Sequence, residues 1–525
     1  MKSCSHLRAR LLAAASGALV WAVSAAPAAA APSAAAAVLK PCRLAGVEHQ
    51  ALCGQVSRAL DPAAPQGTQI DVHFAVLPAL ARYKQPDPLV FLAGGPGQSA
   101  IALAGSIGGQ FSRLNTRRDI VLVDQRGTGR SAPLNCPEPP AAQPLRLALD
   151  PALARARLAE CRQALARLAH GDLRHYTTPV AMADLEAVRQ ALGAQKINLV
   201  GGSYGTRAAL EYARQFPQAV RRLVLDGVAP ADMALPQAMG VDAQSAFEAL
   251  VQHCEREPAC AARSPGLRED WAALIRSLPR TATVPHPVTG RDEPVTFTAD
   301  TVTGLVRMAL YAPVMASALP HAISQAARGR FTPLAGLGAV LDGGPALRLA
   351  EGQHFSVVCA EDLPRIDAAA AVRPQAGAFA AGGLLTYTEV CRDWPRGAVP
   401  AAFYTLVPAA APSLLLSGGL DPVTPPRHGE RVARALGAAA RHVVVPNAGH
   451  GVLGIGCVRD AVVRFIQAAD DAQAAAVSVD CARDMPRPPT WYPPAEPAAS
   501  SAGATPTRTA VSAVRAGHPD ERRAP

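Results

Sequence analysis

The sequence predicts an α/β protein: a mostly parallel sheet with helices on both faces and a helical cap inserted between two halves of the sheet. Three observations lead there. Between residues 70 and 230, short aliphatic or β-branched runs alternate with helical patterns, as parallel strands joined by crossover helices require. From 231 to 395 the strand signal fades and helical periodicity dominates. From 396 onward strand patterns return, so the insertion interrupts one sheet.

The strand candidates of the first part are Ile70–Leu77, Pro88–Leu92, Asp119–Val123, Ile197–Val200 and Arg222–Leu225, each bounded by Gly, Pro or Asp. Between them, Pro151–His170, Pro179–Leu192 and Thr206–Phe216 carry apolar residues three and four apart, as in Leu185, Val188 and Leu192. The cap patterns are Gln244–Cys254, Trp271–Leu278, Thr301–Tyr311 and Leu319–Ala327. Ser413–Leu416 and His442–Val445 read as the last strands and Val458–Ala468 as the closing helix. The expected organisation is a first core part over 38–230, a cap over 231–395 and a second core part over 396–485.

The two ends have a different character. Lys2, Arg8 and Arg10 flank an apolar run from Leu11 to Val23. Its length suits the core of a signal peptide and falls short of the ~20 residues that cross a bilayer. Small residues suited to cleavage follow between Ala26 and Ala37. Residues 1–37 therefore read as signal peptide and linker, and the chain as exported, secreted or periplasmic, with no stable membrane anchor. Residues 486–525 are Pro, Ala, Ser, Thr and Arg with little apolar content, the composition of a disordered tail.

Cysteine usage agrees with export. Of 11 Cys, Cys4 lies in the signal, which leaves an even number at 42, 53, 136, 161, 254, 260, 359, 391, 457 and 481. An even set in an exported chain predicts disulfides, and sequential pairing is the simplest scheme because each bridge then closes a loop inside one region. No close C-x-x-C pair suggests a zinc site. The net charge is +10, yet only four of the 51 basic residues are Lys, and the Arg are scattered among Ala-rich helices with no aromatic stripe. A nucleic-acid partner is not expected.

The chemistry starts at Gly201-Gly202-Ser203-Tyr204-Gly205, between the strand Ile197–Val200 and a helix starting near Thr206. That is the strand–turn–helix setting of the nucleophile elbow of α/β-hydrolases. The glycines allow a sharp turn, and Ser203 lies where helix N–H groups and dipole favour an oxyanion. A serine hydroxyl needs a base, and in this fold the acid and then the His come later in the chain. His450, in Asn447-Ala448-Gly449-His450-Gly451, stands directly after the last strand pattern. Asp421 follows the strand Ser413–Leu416 and a Gly pair, a suitable mount for the carboxylate that orients the imidazole. Ala93-Gly94-Gly95-Pro96-Gly97 follows an early strand and can supply the second oxyanion donor. The expected donors are the Tyr204 and Gly95 N–H groups. Because that loop lacks both GKS/T and the G-x-G-x-x-G spacing, it does not read as a phosphate cradle. Neither metal nor organic cofactor is expected.

Taken together, Gly94-Gly95-Pro96-Gly97, Asp124-Gln125-Arg126-Gly127 with Gly129 and Ser131, the elbow, Leu225-Asp226-Gly227, Asp421 and Gly449-His450 resemble the proline iminopeptidases, and more closely the secreted tripeptidyl aminopeptidases related to them. The resemblance covers about residues 40 to 485 and includes Cys359-Ala360-Glu361-Asp362. It implies a serine exopeptidase that works from a free amino terminus. Ala93 and Tyr204 stand where iminopeptidases usually carry His and Trp, which moves the match away from strict proline specificity. A carboxylesterase with the same triad is the alternative, so the substrate is a peptide or a small ester. A free amino terminus is a cation and needs a carboxylate in a partly dry site. The resemblance points to cap acids, and Glu361 and Asp362, after the apolar run Phe355–Val358, are the candidates.

Overall fold

The computed structural model describes residues 38–140, 142–340, 348–366, 377–379 and 383–494. The expected signal peptide over 1–37 and most of the expected tail lie outside the described residues. One sheet organises the chain: β1 (Lys40–Cys42), β2 (Ala51–Ala59), β3 (Gln69–Leu77), β4 (Leu89–Leu92), β5 (Ile120–Val123), β6 (Ile197–Gly202), β7 (Val220–Asp226), β10 (Ser413–Gly418) and β11 (Ala440–Val445). A separate hairpin is formed by β8 (Arg280–Pro285) and β9 (Asp292–Phe297). The spatial order of the large sheet is β1-β2-β3-β5-β4-β6-β7-β10-β11. The first four strands in that order are joined antiparallel, and every later neighbour pairs parallel.

The strand sequences explain this layering. Parallel strands covered by helices on both faces have no polar face, so β4 reads LVFL and β5 IVLV with every residue buried. Alternate residues still part to opposite sides. Leu89, Phe91, Ile120, Leu122, Val200, Leu414 and Leu416 meet the helix Gly456–Gln467 through Val458, Val462 and Phe465. Val90, Leu92, Val121, Leu199, Leu223 and Leu415 meet the helices Thr178–Ala191, Tyr204–Gln215 and Pro426–Leu436.

The segment between β7 and β10 has its own core, in which Phe247, Trp271, Phe297, Val302, Val306, Ile323 and Phe331 pack together. Its described elements are helices apart from β8 and β9, an antiparallel hairpin that buries Val284, Val295 and Phe297 on one side. The alternation RTATVP and DEPVTF, with Gly290 at a positive φ in the turn, carries the strand signal that an all-helical reading overlooked. The opening pair β1 and β2 was also not anticipated. Ala51–Ala59 alternates weakly; it pairs with β3 from Leu52 to Ala59, and the three-residue β1 forms the edge beside it.

Five disulfides join Cys42–Cys53, Cys136–Cys161, Cys254–Cys260, Cys359–Cys391 and Cys457–Cys481, the sequential scheme. The expected tail begins too early at 486. Residues up to 494 lie on the cap, where the Trp491 N–H donates to Ser317 O, the Tyr492 hydroxyl meets Ser264, and Arg263 lies over the Tyr492 ring. Two aromatic side chains in a Pro-rich stretch supply enough contact to hold it. No described helix is long and apolar enough to cross a membrane.

Candidate active site

Ser203 sits at the turn between β6 and the helix Tyr204–Gln215 with φ 55° and ψ −124°, a left-handed backbone rarely adopted by a residue with a side chain. The strain is sustained from several sides. Ser203 N–H donates to Asp226 O across to β7, and Ser203 O accepts from both the N–H and the hydroxyl of Thr206. A side chain on Gly205 would stand 2.1 Å from Leu92 O, so only glycine lets this helix approach β4 so closely. The result is a partly exposed serine above the carboxyl ends of the parallel strands.

His450 and Asp421 come from the loops after β11 and β10. His450 Nδ1 lies 2.8 Å from Asp421 Oδ2. Asp421 is fully enclosed by the chain that follows it: Oδ1 accepts the Val423 and Thr424 N–H groups, and Oδ2 accepts the Thr424 hydroxyl at 2.7 Å. Burial alone would raise its pKa, but the charge of His450 and these donors hold it below the ordinary carboxylate value. Burial would conversely lower the His450 pKa, and the Asp421 charge and hydrogen bond outweigh it and leave it raised. With 15% of its side chain exposed, His450 remains reachable from above.

Ser203 and the imidazole are each held against the end of β7. Asp226, whose carbonyl holds Ser203, is followed by Gly227, and a Cβ there would stand 3.1 Å from His450 Cε1. The Asp226 carboxylate accepts the Val452 and Leu453 N–H groups and so fixes the histidine loop. The His450 N–H donates to Tyr311 O, and the Tyr311 ring stands edge-on to the imidazole.

Gly94 packs beside Ser203, since a Cβ on it would lie 3.2 Å from Ser203 Cβ. The exposed Gly95 follows, and among the described residues no backbone carbonyl accepts its N–H or that of Tyr204. These are the two expected oxyanion donors. The cap closes over this loop: Ala350 N–H donates to Gly97 O, and His354 bridges Pro96 O at 3.1 Å and the Tyr387 hydroxyl at 2.8 Å. Asp124 steadies the loop from below, accepting from Ser99 Oγ and Ile101 N–H. Its neighbour Arg126 is structural, paired with the buried Asp184.

Glu361 and Asp362 do not face an opening, contrary to the expectation that they bind a substrate ammonium. Both are 0% exposed. Asp362 holds Arg207 through two bonds of 3.0 Å and accepts Leu235 N–H, while Glu361 accepts the Thr178 N–H and hydroxyl. Burial pushes the Glu361 carboxyl up to about 7, against the pull of Arg207. The Thr178 hydroxyl also meets the Tyr204 hydroxyl at 2.7 Å, so the network reaches the residue after the nucleophile. An acid pair after an apolar helix reads the same in sequence whether it ends at a cleft or at a buried arginine. Thr424, Tyr311, His354 and Tyr387 carry no motif and could not be found from sequence.

The alpha/beta hydrolase fold family matches residues 87–264, and the TAP-like protein family matches residues 378–478, which include Asp421 and His450. The chain has the α/β-hydrolase fold. Serine protease Hip1 of Mycobacterium tuberculosis is 27% identical over 432 residues, covering 75% of this chain and 82% of that protein. The tripeptidyl aminopeptidase of Streptomyces lividans is 34% identical over 187 residues, 34% of this chain and 35% of that one. A crystal structure of proline iminopeptidase from Mycobacterium smegmatis matches with a TM-score of 0.37 and 16% identity, covering 79% of this chain and 97% of its own.

Proposed function

We propose that this α/β-hydrolase is an exported serine aminopeptidase that cleaves peptides from a free amino terminus through an acyl-enzyme. The observations that carry the reading are Ser203, strained at φ 55° on the elbow and bonded to Asp226 O, and, next to the following Gly227, an imidazole bound to a buried carboxylate at 2.8 Å. Ser203 attacks the scissile carbonyl, His450 takes the proton and returns it to the leaving amine, and Asp421 stabilises the imidazolium. The Tyr204 and Gly95 N–H groups receive the oxyanion, and water then resolves the ester. The names of the relatives support a peptide substrate. Five disulfides suit an oxidising compartment, and with the N-terminal apolar run they support export through a cleaved signal peptide.

Fluorophosphonate labelling together with a panel of chromogenic peptide amides and simple esters tests this. Ser203→Ala should abolish labelling, and Ser203→Ala and His450→Ala should each remove nearly all turnover, with the double variant little worse than either. Additive losses, or turnover confined to esters, would refute the reading.

A further inference from the structure

The end of the sheet opposite Ser203 carries an open basin of about 1240 Å³. Its walls are loops at the amino ends of the parallel strands: Asp87 precedes β4, Arg117 and Arg118 precede β5, Lys196 precedes β6, and Arg221 lies at the start of β7. β3 runs antiparallel to β5 with Leu77 opposite Ile120, so the loop from Pro78 to Pro86 starts and finishes at this same end. Three main-chain bonds lay that loop along the segment before β5, from the Leu80, Ala81 and Gln85 N–H groups to the Asn115, Thr116 and Arg117 carbonyls. Ser203 stands beyond the other end of β6, roughly 20 Å from Lys196 for a strand that advances ~3.3 Å per residue.

The basin is strongly cationic. Arg118 and Arg221 share the buried carboxylate of Asp87, whose Oδ2 accepts Arg118 Nε at 3.0 Å and Asn198 Nδ2 at 2.8 Å and lies 3.4 Å from Arg221. Arg221 is further engaged by Ile466 O and Ala468 O. The terminal nitrogens of the buried Arg118 have no partner among the described residues. Arg117 and Lys196 are exposed, and neither meets an acid among the described residues. Four basic side chains thus face one carboxylate. At the margin Lys84 is matched by Asp119 and Arg222 by Asp471, Asp470 caps a short helix, and Arg82 lies over the Tyr83 ring. Burial lowers the Arg221 pKa; Asp87 opposes this, while the charges of Arg222 and Arg118 add to it, as in a crowded positive field.

Beside these cations the loop exposes Leu80 at 65% and Tyr83 at 81%. An occupant of this face has to offer negative charge and an apolar layer together. A free phosphate offers only the first, and two separate apolar side chains are too few for the apolar centre of a protein interface. A lipid surface offers both: Leu and Tyr enter the boundary of the acyl layer while Arg and Lys stay among the phosphates. We propose that this end of the sheet is a docking face for an anionic phospholipid bilayer, with lipid phosphates in the basin, Leu80 and Tyr83 at the acyl boundary, and Ser203 facing away into the aqueous phase. The attachment is reversible and needs no spanning helix. It holds whether the substrate is a peptide or an ester.

Co-sedimentation of the purified protein with vesicles of phosphatidylcholine and phosphatidylglycerol, against phosphatidylcholine alone, tests this. The protein should bind the mixed vesicles and not the neutral ones, and should be released as added salt shortens the screening length below the ~10 Å of 0.1 M salt. A Lys or Arg near an anionic surface contributes about fivefold in affinity, so Arg117→Gln/Lys196→Gln should weaken binding about twenty-fivefold. Leu80→Ser/Tyr83→Ser should weaken it at least about tenfold and leave the salt dependence in place. Tyr83→Trp should add emission that shifts to the blue on mixed vesicles only. Fluorophosphonate should label Ser203 at the wild-type rate in every variant, and as fast on vesicles as in solution. Equal binding to neutral vesicles, no binding to either, or binding that survives both double variants would overturn the docking face. So would glycerol phosphate binding as tightly as the vesicles, which makes the basin a small-anion site, or binding of poly-glutamate without vesicles, which makes it a site for acidic protein. Slower labelling on vesicles would overturn the orientation.

Discussion

Replacing Arg207 with Met removes the only cation bonded to Asp362 and Glu361 among the described residues. Arg207 is 1% exposed and reaches from the nucleophile's helix to the end of the cap helix Glu351–Glu361. It makes two bonds of 3.0 Å to Asp362, one of 3.5 Å to Glu361 and one of 2.9 Å to Met233 O. Water does not replace these contacts, since both carboxylates are wholly buried. Breaking such a pair from one side typically costs ~3–5 kcal/mol, most of it the cost of a stranded charge. Arg207→Met/Asp362→Asn should therefore be more stable than Arg207→Met, because Asn keeps an oxygen for Leu235 N–H and carries no charge. Glu361 adds a pH signature. Its carboxyl is at about 7 with Arg207 present and should titrate higher without it. A folded-state pKa above the unfolded one gives stability that is present at low pH and lost as pH rises through the folded value. The deficit of Arg207→Met should thus be smaller at pH 5 than at pH 8. Urea titrations followed by tryptophan fluorescence, with disulfides intact, measure all three quantities. A deficit under about 1 kcal/mol at pH 8, or a double variant no better than the single, would refute this account of the network. The same loosening should lower kcat, since Thr178 links Glu361 to Tyr204 beside the nucleophile.

Other perturbations follow from the same geometry. Because the His450 pKa is raised and the base must be neutral, kcat/KM should climb with pH through a midpoint above the usual ~6.5; Asp421→Asn should lower both that midpoint and turnover, and an unmoved midpoint would exclude Asp421 as the partner. Thr424→Val deletes the hydroxyl bonded to Asp421 Oδ2 while leaving the main-chain donors; a loss of ~1.5–3 kcal/mol, or about tenfold to a hundredfold in kcat with KM little changed, is expected, and unchanged kcat would make the contact incidental. Thiol counting on the exported protein should find none free among the ten paired cysteines, and loss of Cys359–Cys391 should cost ~2–4 kcal/mol by melting midpoint, since it ties the helix carrying His354 to the one carrying Tyr387.

The sequence by itself determined the layered α/β architecture, because fully apolar strand runs and helical periodicities are local properties that tertiary context had no cause to overturn. The elbow was legible for the same reason: Gly201, Ser203 and Gly205 fall within five consecutive residues, and their spacing records the close approach of one helix to β4. Asp421 and His450 were legible through chain order after the last two strands of the sheet. Only the tertiary structure decided which acids are free. Glu361 and Asp362 meet Arg207 across more than 150 residues, so the local sequence could not reveal that their oxygens are occupied. The hairpin β8–β9 and the attachment of residues 486–494 depend likewise on the cap core that receives them. Contacts remote in sequence have no period or spacing by which the chain could announce them.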